Sequence, residues 1–523
     1  EVKFVIPNSV VLSTDVFGEF IEQNNLSRFA HEEFEDSEVD AAFLAGDLNE
    51  KIRDDLTAIV SRLRRPLAIR SSSLLEDASH QPFAGVYSTH MLANDHHDLA
   101  VRLARLEEAI KLVYASTYHK GAKAYVAATP SNIEDERMAV VIQELVGREV
   151  NGRFYPHISG AARSRNHYPV SPLKAEGGIA AVCIGLGRQV ASGEKCLRFS
   201  PGQPKRIHQF HSTESMLDTS QTSFWAIPMG ASEKPVSPDE AANLINLSLR
   251  DAESDGRLGL VGSTYIMADD RIVDSVKADG GPRVVTFAPI LKHKRVPLAE
   301  ILHHVLTRCE AYLNSPIEIE FAFILDEKTD TQIFALLQVR PILEESVDID
   351  IDMNEVDRAR AICMSSHALG NGVIDDIRDV VYIHPNRLDR MRTSNLTDHI
   401  EAIDAKLRAA GRPYLLIGPG RWGSSDPSLG VPVSWEQIRG AKAIIEVPMS
   451  DIHVEPSQGT HFFQNIVTFN IGYLTITADD MLDFEWLDGV DSKEEIGPLR
   501  HIGLDSPLKV VLDSRDSEAI ILR

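Results

Sequence analysis

The sequence predicts a mixed α/β protein built in two parts, and three observations carry that reading. Short apolar stretches rich in β-branched residues alternate with stretches whose apolar residues recur at helical spacing. Hydrophobic residues make up 43% and charged residues 25%, a soluble globular mix that excludes wholesale disorder. From Glu344 to Asp357 there are seven carboxylates and no lysine or arginine, as in a solvated linker. At about 150 residues per domain, 523 residues hold roughly three to four folding units. The expected division is residues 1–342, a linker at 343–358, and a smaller α/β domain at 359–523.

The elements follow in order. Lys3 to Asn25 reads as a strand with Val5-Ile6 and Val10-Val11, an N-cap at Thr14-Asp15, and a helix carrying Phe17, Phe20 and Ile21. Leu56 to Leu63 is helical, and Leu67-Ala68-Ile69 is a buried strand running into Arg70-Ser71-Ser72-Ser73. Residues 99–118 put Leu103, Leu106, Ile110 and Val113 on one helical face. Met138 to Ile142 is a strand, followed by a loop with Gly152, Pro156 and Gly160, and Ile179 to Ile184 is a strand. In the second part, Val380 to Ile383, Tyr414 to Ile417 and Ala443 to Val447 are strands, and Leu396 to Ala410 is a helix.

Composition removes several function classes. The net charge of −24 repels phosphate backbones, so nucleic acid is not an expected partner. The longest nearly apolar stretch, Gly177 to Gly187, falls short of the ~20 residues of a membrane span. Four cysteines form no disulfide framework and no CxxC pair, which points to a reducing compartment and a cytoplasmic location. The chain opens with Glu1, without the basic and then apolar profile of a secretory signal.

The most informative segment is Ile317 to Leu325, polar residues 326–332, then Ile333 to Arg340. Both flanks alternate with period two, which predicts a hairpin with Glu318 and Glu320 on one face of the first strand and Gln338 and Arg340 on one face of the second. Symmetric closure puts Glu320 opposite Gln338 and Glu318 opposite Arg340. Oxygen ligands beside a guanidinium suit Mg²⁺ and a transferring phosphoryl group. The plainer alternative is a solvent-facing strand with a cross-strand ion pair worth under ~1 kcal/mol. A second constellation, Arg70 to Asp77 with Phe83-Ala84-Gly85 and Thr89, can hold polyphosphate, while Ser73 and Glu76 also fit a capping box.

Together these residues resemble a family. Arg70-Ser71-Ser72, Glu76-Asp77 and Phe83-Ala84-Gly85 are similar to the nucleotide-binding signature of phosphoenolpyruvate synthase, pyruvate phosphate dikinase and rifampin phosphotransferase. Val141 to Val146 resembles the adenine-side hinge, and Gly185-Leu186-Gly187 with Val190 and Ser192-Gly193 resembles the glycine–leucine–glycine…serine–glycine stretch. Ile319-Glu320-Phe321 and Leu337 to Pro341 match the terminal metal and catalytic strands, so the resemblance covers residues 1 to about 342 in the family's order. It implies a two-lobed ATP-grasp fold with ATP and Mg²⁺ as cofactors. It implies that Arg70 contacts phosphates, that Gly85 and Thr89 form a lid, and that Gln143, with Glu144 beside it, sits at the adenine. Glu320, Gln338 and Glu318 would be the metal ligands and Arg340 the group assisting transfer. The family usually has Asp or Asn at the place of Glu318, Ser at Pro82 and Glu at Arg188, and the Arg153 to Arg165 loop departs from its pattern. The basic residues of that loop, Arg153, His157, Arg163 and Arg165, read as a solvated loop or as an attraction for an anionic acceptor. The family's phosphate-contacting lysine lies upstream of the strand at Phe4, so weak ATP binding is expected of the chain from Glu1 unless another group, such as Lys174, supplies the charge.

In the second part, Ser457-Gln458-Gly459-Thr460-His461 echoes the family's phosphohistidine run, against which stand Phe462-Phe463. His461 is thus a candidate phosphocarrier or a packed structural histidine. Gly418 to Gly423 fits GxGxxG after a strand, but Ser424-Ser425-Asp426-Pro427 and Pro432 break the helix that a dinucleotide site needs. That loop reads as an anion site with Arg421 or as a tight turn. No segment resembles the family's pyruvate-binding barrel, which needs ~250 residues. The expected function is ATP-dependent phosphotransfer of the dikinase type to a histidine or a small acceptor. The alternative is a nucleotide-sensing regulator without turnover. The acceptor, a small molecule or a protein, is not named by the sequence, and a homodimer stays open.

Overall fold

The computed structural model describes residues 2–73, 85–127, 129, 132–166, 173–210, 212–230, 233–278, 281–326, 329, 331–342, 357–387, 394–449, 460–469, 471–513 and 517–523. Helices and strands take equal shares, 34% each, so the chain is mixed α/β. Glu76, Asp77, Pro82, Phe83 and Ala84 lie outside the described residues, as do most of the acidic run, Lys174's neighbours at 167–172, and Ser457 to Gly459.

Two sheets of the first part position the site. One has four strands in the order Ser9–Leu12, Met138–Glu144, Leu67–Ser73, Thr89–Leu92. The other has six, in the order Val2–Val5, Thr331–Pro341, Ile317–Asp326, Ile158–Arg163, Ile179–Cys183, Leu197–Phe199. The opening segment, expected as one strand, is two. Pro7 has no N–H for a ladder, and the chain leaves the six-stranded sheet before it and joins the four-stranded sheet after it. The helix that follows is Thr14–Gln23 with Ser13 as its N-cap residue, one position before the expected cap. Helix Leu99–Ser116 buries Leu106, Ile110 and Val113 as their spacing predicts. The expected loop around Gly152 to Gly160 is instead three strands, Arg148–Val150, Arg153–Tyr155 and Ile158–Arg163.

The second part forms its own large sheet. Its centre is a parallel run in chain order, Gly372–Ile383, Tyr414–Pro419, Ala441–Val447, Gly472–Thr475. Helices Ser394–Ala409 and His461–Thr468 supply two of the crossovers. Period-two alternation divides the sheet's faces: Val381, Leu416 and Ile444 look one way and Val380, Leu415 and Ile445 the other. The first of these faces shares a continuous apolar core with the first 142 residues. Tyr125 meets Phe469 at 4.6 Å between ring centroids, and Phe469 stacks on Trp435 at 4.8 Å. Strand pairing therefore respects the acidic boundary among the described residues, whereas hydrophobic packing crosses it.

Candidate functional site

The hairpin Ile317–Asp326 and Thr331–Pro341 closes with Glu320 opposite Gln338 and Glu318 opposite Arg340, with a bulge just after Glu320. A third strand decides what each rung becomes. Ile158–Arg163 pairs with the hairpin so that Arg163 stands beside Glu318 and Ala161 beside Glu320. One rung is therefore Arg163, Glu318, Arg340, and the next on the same face, two residues on, is Ala161, Glu320, Gln338.

The charged rung is sealed. Glu318 is 3% exposed, and its carboxylate accepts from the Arg163 guanidinium on one side and from Arg340 Nε, at 3.1 Å, on the other. Burial alone would raise its pKa, but the two guanidiniums override this and hold the carboxyl at about 2. Glu318, expected as a metal ligand, has its oxygens engaged by two arginines inside the protein. The basic loop is corrected: Arg163 is buried in a strand, His157 is buried against Arg257, and Arg153 pairs with Asp251 at 3.1 Å.

The rung of Glu320 is partly exposed. Arg70, near the middle of Leu67–Ser73, reaches across from the four-stranded sheet, and its Nη2 donates to Glu320 Oε2 at 2.9 Å and to Gln338 Oε1 at 2.7 Å. One cationic nitrogen is thus shared by the two oxygens expected to hold a metal. Among the described residues no group of three or more His, Cys, Asp or Glu side chains could hold a metal. Two hard oxygen donors fit an ion that completes its shell with phosphate and water, which is the habit of Mg²⁺.

The other expected contacts surround this junction. Thr89 is the register partner of Arg70, and its N–H donates to Glu240 Oε1 at 2.7 Å. Burial raises the Glu240 carboxyl above its ordinary range, opposed by that N–H and by Arg188, 3.4 Å from its other oxygen. Arg188, at the position usually Glu in the family, also lies over the Trp225 ring at 5.3 Å. Gly85 has φ +68°, a left-handed conformation suited to glycine. Gln143 is buried and donates to Ser9 Oγ at 3.2 Å, while Glu144 Oε2 accepts from Asn8 Nδ2 at 2.7 Å. Both sit at the seam where the chain passes from one sheet to the other.

The second part docks on this end of the molecule. The Gly418 to Gly423 loop opens no helix, as expected, and it is a docking turn: Arg421 Nη1 and Ser424 Oγ donate to the Gly193 carbonyl at 3.1 and 3.0 Å. Gly193 has φ +71°, a conformation that favours glycine, and an added Cβ would come within 3.1 Å of the Thr460 side chain, which would have to give way. Ser425 bonds the Ser192 carbonyl through its N–H and its hydroxyl. Phe463, fully buried, lies against the Arg163 guanidinium at 5.4 Å. His461 is the first residue of helix His461–Thr468, and its side chain lies outside what the structure describes.

Sequence reasoning put Arg163 in a basic loop and not beside Glu318, and it missed Glu240 and the role of Ser424. No local pattern marks the Arg163 pair, since Ile158 through Arg163 lacks a clean alternation and the carboxylate Arg163 meets is 155 residues away. Nothing local announces Glu240.

Known proteins resemble the first part of the chain. Residues 1–360 match the family described as "Pyruvate phosphate dikinase, AMP/ATP-binding domain". A curated relative, the "Uncharacterized phosphotransferase YvkC" of Bacillus subtilis (strain 168), is 28% identical over 191 residues, 36% of this chain and 20% of that protein. The match thus spans a fifth of that relative's length. No helix among the described residues is long and apolar enough to cross a membrane.

Proposed function

The chain belongs to the pyruvate phosphate dikinase AMP/ATP-binding family, and from that premise we propose that it is an ATP-dependent phosphotransferase of the dikinase type. The observation that carries the reading is the Arg70 bridge to Glu320 and Gln338, which joins two sheets through three residues of the expected site. ATP lies between those sheets in an ATP-grasp manner, with its adenine toward Gln143 and Glu144 and its phosphates toward Arg70, Gly85 and Thr89. Magnesium, when bound, neutralises phosphate charge. Glu320 and Gln338 would hold it, and Arg70 would then turn from them to the phosphates. Arg340 stabilises the charge that spreads over the transferring phosphoryl oxygens. In the transfer, the bond from the β-phosphorus to the α,β-bridging oxygen breaks and its electron pair leaves on AMP, while the γ-phosphoryl group passes to water and is released as inorganic phosphate. A lone pair on an acceptor nitrogen or oxygen forms the new bond. Residues 359–523 bring the acceptor, with His461 as the candidate phosphocarrier.

Incubation with β- and γ-labelled ATP, followed by mass analysis with AMP and ADP resolved, tests this. The expected result is nucleotide consumption with AMP among the products and label on the protein or an added acceptor. ATP bound but unconverted would instead support a nucleotide-sensing clamp. If His461 relays the group, His461→Ala loses acid-labile, base-stable label and keeps ATP binding.

A further inference from the structure

Arg340 faces a difficulty in its resting position, because it is bound to a buried carboxylate. To meet a phosphoryl group it must loosen from Glu318, and a carboxylate 3% exposed cannot be left without a partner. Arg163 resolves this. It is the deeper of the two guanidiniums, with its side chain 5% exposed against 16% for Arg340, and it holds the other oxygen of the same carboxylate. Phe463, from the helix His461–Thr468 of the second part, covers it with an aromatic face.

We infer that Arg163 is a positioning residue: clamped by Phe463, it keeps Glu318 paired so that Arg340 is free to leave for the phosphoryl group. The inference rests on the proposed role of Arg340 and adds a requirement to it. Two arginines share one carboxylate because one of them stays and the other moves. The second part of the chain, through Phe463, then helps to set the readiness of a site in the first.

The test is a kinetic series on the full chain. Arg163→Gln is expected to lower kcat about 100-fold, the factor that about 2.7 kcal/mol of added barrier produces, with the Kd for ATP changed less than about threefold. Arg163→Lys, which keeps a charge but not the fork, should fall between. The decisive variant is the double one, Arg163→Met with Glu318→Leu. With no buried carboxylate to hold Arg340, it should recover at least about tenfold of the lost kcat. If Glu318 instead serves to orient Arg340, the double variant will be as slow as Arg163→Gln or slower, and the inference is overturned. Equal loss of ATP affinity and kcat in Arg163→Gln would overturn it too, since that is what general disruption gives. A reading independent of turnover separates this from failure of the proposed chemistry. The Arg340 Nε–H resonance, assigned by its loss in Arg340→Lys, should shift on adding Mg-ATP to wild type and not to Arg163→Gln. The same shift in both proteins would count against the inference whether or not phosphoryl transfer occurs.

Discussion

Two neighbouring rungs of one hairpin carry the same residue type and differ in nearly everything else. Glu318 is buried between two guanidiniums, and Glu320, two residues on, is half-buried and shares a single arginine with a glutamine. The difference lies in the third strand, which offers Arg163 to one rung and Ala161 to the next. A carboxylate flanked by arginine becomes part of the protein's own charge balance, while the one flanked by alanine is met instead by Arg70 from the other sheet.

The largest expected effect sharpens that contrast. Glu318→Gln removes the buried carboxylate that these two arginines share and should cost about 3–5 kcal/mol of stability. Glu320→Gln should cost under about 1 kcal/mol, because its pair with Arg70 is partly solvated. Urea unfolding of both variants measures the difference, and equal losses would erase the distinction between the rungs. In activity the order should reverse. Arg340→Ala should lower phosphoryl transfer by about 100- to 1,000-fold with little change in unfolding midpoint. Glu320→Gln should raise the Mg²⁺ concentration needed for half-maximal rate by about tenfold. An unchanged rate in both would reduce the hairpin to a structural ion pair.

How much of this was legible depended on sequence distance. Period two and a short polar loop were enough for the hairpin register, since both strands lie within 25 residues of each other. Arg70 was found because its neighbours Ser71 and Ser72 mark it, although its target lies 250 residues away. Arg163 was misjudged because a strand between glycines and a proline looks like a loop until its partner strand is known. The strands of the second part were visible as apolar runs, but their parallel order was not, because alternation says which face a residue takes and nothing about which strand lies beside it. The break at Pro7 could have been read from the proline itself.

Acidity probes the strand of Arg163 from its other end. His157, directly before it, is held neutral by burial and by the nearby charge of Arg257, with its pKa lowered from 6.5 to about 3. Between those values the unfolded chain binds a proton that the folded chain refuses, so stability falls as pH falls, by up to about 1.4 kcal/mol per pH unit. Glu318 adds to the loss only below its ordinary value of 4.5, as pH falls toward about 2. Unfolding free energy measured from pH 7 to pH 4 should therefore slope downward, and His157→Phe should lessen that slope, the buried His90, lowered to about 4, sustaining the rest. An unaltered slope would show that His157 is not the group responsible. A small effect belongs to the docking turn as well: Ser424→Ala removes the hydroxyl bond to the Gly193 carbonyl and should cost about 0.5–1.5 kcal/mol. A loss well above that would mean that the turn carries more of the contact between the two parts than one hydrogen bond.

The claim on which the rest depends is that the junction of Arg70, Glu320 and Gln338 receives the phosphates of Mg-ATP. Isothermal titration of Mg-ATP into wild type and Arg70→Ala tests it most directly. The expected result is a one-to-one binding heat in wild type that weakens by about ten- to hundredfold in the variant, the loss of one charge-assisted contact. Absence of heat in wild type, or equal affinity in the two proteins, would contradict it.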